Sequence, residues 1–203
     1  MREISPAIGM SVDQWLAGMP SQLRAGVEEI RRQKYAGKRP RPSMSLIDRS
    51  AILTKPVRAM LLDAVASLVD ENYAGRGEMC IQFAALLDRG LSYLKFPSRP
   101  VMGTAMYYDK SGNEIFRWGH AWVRIGDEVV DGNVDSVPEN PVVPKIVSVA
   151  PYWGPVAEVP TDRRLREEQG QGMDPDVDVE TNWWPDLQRW IDENVLARNK
   201  EKG

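Results

Sequence analysis

The stretch Phe116-Arg117-Trp118-Gly119-His120-Ala121-Trp122-Val123-Arg124-Ile125-Gly126-Asp127-Glu128-Val129-Val130-Asp131-Gly132-Asn133 decides how the rest of the chain is read. β-Branched and aromatic residues fill both halves, and Gly126-Asp127 between them is a two-residue turn signal. The pattern predicts one strand over 114–125 and another over 128–133, paired antiparallel. With Gly126-Asp127 as the turn, Ile125 opposes Glu128, Trp122 opposes Asp131 and His120 opposes Asn133. The pleat then places His120, Trp122, Asp131 and Asn133 on one face, with Asp131 a diagonal neighbour of His120.

Upstream, Val101 to Tyr108 also reads as extended, and Asp109-Lys110-Ser111-Gly112-Asn113 is a turn, which makes a three-stranded antiparallel meander. Two helices precede it. The first runs over 56–72, with Val57, Met60, Leu61, Ala64 and Leu68 at helical spacing. The second begins near Met79, carries Cys80, Phe83, Ala84, Leu87 and Leu91 on one face, and is expected to end at Gly90 as a C-cap. Between them, Tyr73-Ala74-Gly75-Arg76-Gly77 is a turn. Nearer the start, Ser11 and Gln14 form a capping-box pattern, and a helix is expected over 21–35. A basic run follows (Arg31, Arg32, Lys34, Lys38, Arg39, Arg41), which Pro40 and Pro42 interrupt, so it reads as a helix end and a solvated linker. Downstream, 137–160 is proline-rich, with a candidate strand over 146–150. Residues 161–180 read as a polar loop, and 182–197 as a final helix packing through Trp184, Leu187, Trp190 and Ile191. The fold class is α+β. The expected division is a helical extension over 1–50, a core over 51–160, and a loop and helix over 161–203 that pack on the core.

Composition narrows the function. The 203 residues are 42% hydrophobic and 27% charged, with a net charge of −3. That describes a globular chain and offers no electrostatic footprint for nucleic acid or anionic membrane. One cysteine and one histidine exclude an intrachain disulfide and a Cys/His-rich zinc site. Asp174-Pro175-Asp176-Val177-Asp178 alternates acids like a calcium loop, but Val179 and Pro185 stand where such a loop needs Gly and Glu. No secretory signal or membrane span is visible, so a cytoplasmic protein without metal or cofactor is expected.

The lone cysteine and lone histidine carry the chemistry. Cys80 stands in the first turn of a helix, where unpaired N–H groups and the helix dipole favour thiolate over thiol. Its own N–H is placed to hold a developing oxyanion. His120 supplies the base such a thiol needs, and the imidazole in turn needs an acceptor on its other nitrogen. Asp131 is the first choice for that acceptor and Asn133 the second. Trp118 and Trp122 flank the histidine on its own face, as shields from water or as ordinary core.

Three segments together resemble the transglutaminase-like cysteine enzymes of the papain-like group. They are Gly77-Glu78-Met79-Cys80-Ile81-Gln82-Phe83-Ala84, then Gly119-His120-Ala121-Trp122-Val123-Arg124, then Val129-Val130-Asp131-Gly132-Asn133. The run His-Ala-Trp-Val followed by Gly-x-x-Val-x-Asp is similar to the bacterial branches, including lasso-peptide leader peptidases and bacterial transglutaminase-like cysteine peptidases. The likeness spans residues 75–136. It implies a Cys-bearing helix packed on an antiparallel sheet, with Cys80 as nucleophile, His120 as base and Asp131 as third member. It also implies a thiol hydrolase or acyl transferase acting on peptide or protein amides. Ile81 stands where the animal crosslinking enzymes carry Trp, and their calcium sites have no counterpart, which favours hydrolysis over crosslinking. Gln82 and Trp118 are candidates for the second oxyanion donor. The alternative is a non-catalytic peptide- or protein-binding module on the same scaffold. A CoA-dependent acyltransferase ranks last, since no cofactor signature accompanies it. The oligomeric state is not legible.

Overall fold

The computed structural model describes residues 18, 20, 21, 24, 25, 45, 46, 50, 52–73, 76–140, 142–144, 147, 149–168 and 172–197. Most of the N-terminal helices expected over 11–35, and the basic run over 31–41, lie outside these residues. Gly18, Ser21, Arg24 and Ala25 are helical.

The architecture is α+β. Among the described residues six strands form one sheet: β1 (Ser45–Leu46), β2 (Ser98–Tyr108), β3 (Glu114–Ile125), β4 (Glu128–Asp131), β5 (Tyr152–Pro155) and β6 (Arg163–Glu167), in the order β1-β5-β4-β3-β2-β6. All pairings are antiparallel except β1 with β5. The hairpin has the expected register, with Ile125 opposite Glu128 and Val123 opposite Val130. Two differences stand out. The segment expected to be a strand over 146–150 has none at its described members, Val147, Val149 and Ala150. The supposed loop over 161–180 contains β6, which pairs with β2, so the sheet extends past the expected core boundary at 160. The segment over 1–50 likewise contributes β1 to the sheet rather than helix alone.

Three helices cover one face of the sheet: α1 (Lys55–Tyr73), α2 (Cys80–Tyr93) and α3 (Trp184–Ile191). Their core joins Leu61, Phe83, Leu87 and Leu187 to Ala121, Val123, Val130 and Trp153 of the sheet. Gly90 is not a C-cap. It lies inside α2, where an added Cβ would sit 3.3 Å from both Ile191 and Leu187, so its lack of a side chain lets α2 and α3 approach closely. The last helix buries Leu187 and Ile191 as expected, together with Val179, Trp183 and Val195, while Trp184 and Trp190 pack against the core only half-buried. Every fourth residue would drift about 40° around an α-helix. The π-helical turns over Val179–Trp183 and Asp192–Leu196 widen the winding and hold these residues in one line. No described helix is long and apolar enough to cross a membrane.

The feature that positions the site is the end of β4. The β3–β4 ladder stops after Val123–Val130, and Asp131 is the last residue of β4. Gly132 follows, buried against the helices, where a Cβ would fall 2.6 Å from Phe83 and 2.9 Å from Leu62. The missing side chain is what lets α1 and α2 seat against the departing strand. Gly132→Ala is therefore expected to destabilise the protein by about 1–3 kcal/mol through overpacking. Gly119→Ala, whose Cβ would meet nothing within 4 Å, should be neutral or slightly stabilising. Urea denaturation of the two variants checks this, and equal midpoints would refute it.

Candidate active site

Cys80 is the first residue of α2, and the turn before it is held from several sides. Glu78 adopts a left-handed φ of 65°, and its carboxylate accepts a hydrogen bond from the Asn140 side-chain amide. Arg76 is buried, with its guanidinium forked onto Asp135 and 3.7 Å from Asp70. The Arg76 carbonyl accepts from Asn133 Nδ2 at 3.1 Å and Ser136 Oγ at 3.0 Å. The helical ladder begins with Phe83 N–H donating to the Met79 carbonyl at 2.9 Å, so the N–H groups of Cys80, Ile81 and Gln82 precede it.

The sheet brings the other two residues to this helix end. His120 and Asp131 are both fully buried, and His120 Nε2 lies 2.8 Å from Asp131 Oδ1. That bond fixes Nε2 as the protonated nitrogen, since an ionised carboxylate only accepts. Nδ1 is then the nitrogen turned away from the carboxylate. It has no hydrogen-bond partner in good geometry. The Cys80 thiol lies close enough to the imidazole for each to shift the other's titration. Cys80 itself is partly exposed.

Electrostatics here favour an ion pair. Burial pushes the Cys80 thiol up, but hydrogen bonding and charge from His120, with the N–H groups of Ala121 and Ile81, outweigh it and hold the thiol below its ordinary value. The Ala121 N–H belongs to β3 where the β4 ladder has already ended. Burial disfavours charge on His120 as well. The Asp131 carboxylate and the Cys80 sulfur overcome that and push it up to about 10. Asp131 is held below the usual carboxylate range: burial opposes this, and His120 and Arg163 prevail.

Of the residues named from sequence, Cys80, His120 and Asp131 come together. Trp122 flanks His120, with ring centroids 6.2 Å apart, and also packs with Val101, Val129 and Tyr152. Gly103, opposite His120, leaves room for that ring: a Cβ there would be 2.7 Å from the Trp122 indole. One expectation is corrected. Asn133 does not orient His120, because its amide is engaged with Arg76. Neither candidate for the second oxyanion donor, Gln82 or Trp118, is among the hydrogen-bond partners of the Cys80 thiol. Gln82 lies about 200° around the helix from Cys80. Trp118 packs on Phe116 at 5.8 Å, and its buried indole N–H has no hydrogen-bond partner in good geometry.

Two residues were missed. Tyr107 is fully buried on β2 and feels the charges of Asp131, Arg163 and Cys80. Arg163, on β6 opposite Tyr107, donates from Nη1 to Asp131 Oδ2 at 2.9 Å. No period-two pattern marks β6, since Arg163, Leu165 and Glu167 share one face and Arg164 and Arg166 the other. A cleft of about 440 Å³ opens along the same sheet face, lined by Trp122, Val129, Val159, Leu165, Arg124 and Glu167 among others, and its lining includes neither Cys80 nor His120. Among the described residues no group of three or more His, Cys, Asp or Glu is arranged to hold a metal ion.

No family model matches the chain, and no curated protein matches it. One solved structure, a crystal structure described only as a genomics target, is similar over 58% of this chain and 67% of its own, at 15% identity and a TM-score of 0.45.

The two shifts set a pH window. A lowered thiol value means the thiolate persists on acidification until pH falls through that value. A raised imidazole value means the imidazolium persists until pH climbs through about 10. Iodoacetamide is therefore expected to alkylate Cys80 rapidly below neutral pH, and His120→Gln to move the midpoint up towards the ~8.5 of a free thiol. Wild-type labelling that rises only near ~8.5 contradicts the ion pair.

Proposed function

We propose that this protein is a cysteine-nucleophile enzyme of the transglutaminase-like, papain-like kind, cleaving or transferring an acyl group from a peptide or protein amide. The observation that carries the reading is the buried His120–Asp131 hydrogen bond at 2.8 Å, whose imidazole has its remaining nitrogen for the Cys80 sulfur at a helix N-terminus. A histidine serving only as core would need no acidic partner and no thiol beside it.

In the proposed reaction the Cys80 thiolate attacks the amide carbonyl, forming an S–C bond and an oxyanion. The Cys80 N–H is the first donor to that oxyanion. As the tetrahedral species collapses, the C–N bond breaks and the leaving amine takes the proton from His120 Nδ1. A thioester remains. Water then attacks it while His120 Nδ1 accepts its proton, and the carboxylic acid leaves as the thiolate re-forms. An amine in place of water gives transfer instead, and the pocket around the acyl-enzyme decides between them. Asp131 keeps the imidazole oriented and favours its charged form throughout. Trp122 keeps water from one side of the ring.

An activated ester such as p-nitrophenyl acetate supplies an acyl group without knowledge of the natural substrate. A burst of p-nitrophenol, with one acetyl group on the Cys80 peptide by mass spectrometry, is the expected result. Cys80→Ala should abolish the burst while circular dichroism is unchanged, and His120→Ala should slow it by roughly 10²–10⁴-fold. Acetylation elsewhere, or an undiminished burst in Cys80→Ala, overturns the proposal. A thiol as slow as a free cysteine would instead favour the peptide-binding module.

A further inference from the structure

We propose that Arg163 is a positioning residue of this site, supplying the second positive charge that lets a thiolate and a carboxylate coexist out of water. The proposal rests on the reading of Cys80 as nucleophile.

Arg163 is 2% exposed and its guanidinium is pinned on three sides. Nη1 donates to Asp131 Oδ2 at 2.9 Å, Nη2 to the Ala150 carbonyl at 2.6 Å and Nε to Asp162 Oδ1 at 2.9 Å. Asp131 thus gives one oxygen to His120 and the other to Arg163. A planar fork with fixed donors suits this three-way anchoring.

The charges facing the group are Cys80 from α2, His120 from β3, Asp131 from β4, Arg163 from β6 and the partly exposed Asp162 from the turn before it, while the Tyr152 hydroxyl from β5, opposite Asp131, is pushed up to about 12 and stays uncharged. The Tyr107 hydroxyl from β2 is uncharged, because burial above all pushes its pKa upwards. With Asp162 at the solvent rim, the central members in the reactive state are two anions, the partly exposed Cys80 and the buried Asp131, and two cations, His120 and Arg163. Their sum is zero. Without the guanidinium the same state holds one net negative charge. A buried cluster in that position relieves itself by binding a proton. Asp131 still has the imidazolium, so the sulfur is the group that takes it up. Removing the Arg163 charge therefore returns Cys80 to the thiol at pH values where the native protein holds a thiolate.

The test is the pH dependence of iodoacetamide alkylation of Cys80 in the full-length wild type, Arg163→Gln and Arg163→Lys, with folding followed by circular dichroism. Arg163→Gln keeps a donor for Asp131 and drops the charge. It should move the acid limb up by roughly one pH unit, on the order of tenfold less thiolate along that limb. Arg163→Lys keeps the charge and should restore most of the difference. If Arg163→Gln fails to fold, Asp131→Asn and the double variant Asp131→Asn/Arg163→Gln make the same comparison without a lone buried carboxylate, and the double variant should again label more slowly at acid pH. An unchanged limb on loss of the charge, or an equal shift in Arg163→Lys and Arg163→Gln, overturns the proposal. Slow labelling of the wild type below neutrality ends the nucleophile reading itself, so the two failures are distinct.

Discussion

A carboxylate taken wholly out of water must be answered on both oxygens, and Asp131 meets that demand with an imidazole on one side and a guanidinium on the other. Much of the sheet is arranged around this requirement. It needs β3 and β6 to flank β2, with Arg163 opposite Tyr107 and His120 opposite Gly103. It needs β4 to end at Asp131, so that α2 can deliver Cys80 to the edge of β3. An isolated ionised side chain at this position would be neutralised rather than tolerated, and the pairing makes the charge useful instead.

The polar group is also layered. Along the sheet face, one apolar cluster with Ala105, Tyr107, Val134 and Val137 lies to one side, and another with Val101, Trp122, Val129 and Tyr152 lies to the other. Excluding water raises the strength of every charge interaction between them. It also explains the outlay of buried polar bonding on the approach to Cys80, where Arg76, Asp135, Asn133, Ser136 and Asn140 hold a turn that includes a left-handed glutamate. A non-glycine residue in that conformation persists only where its surroundings over-determine it.

The hairpin was legible in the sequence because a turn signal and a period-two pattern agree at the same place. Its register alone put Asp131 diagonal to His120, and the first turn of a helix marked Cys80. What lies beyond one hairpin was not legible. Arg163-Arg164-Leu165-Arg166-Glu167 carries charges on both faces of the strand, so it reads as solvated loop. Its inward arginine is buried only because a carboxylate three strands away in the sheet order awaits it, and strand order is not written in local pattern. Gly90 was mistaken for a helix end because glycine near the end of an apolar run is the usual C-cap, and only the packing of α3 assigns it another purpose. Trp183 joins the buried line beside the half-buried Trp184 because the π turns alter the phase of the stripe.

The central claim is that a thiolate and an imidazolium sit side by side in the resting protein. The most direct measurement is the ultraviolet absorbance that separates thiolate from thiol, titrated with pH in the wild type against Cys80→Ala as the blank. A difference signal already complete at neutral pH, and lost only on further acidification, is the predicted result. A signal that first develops near ~8.5, as for an ordinary cysteine, would contradict it.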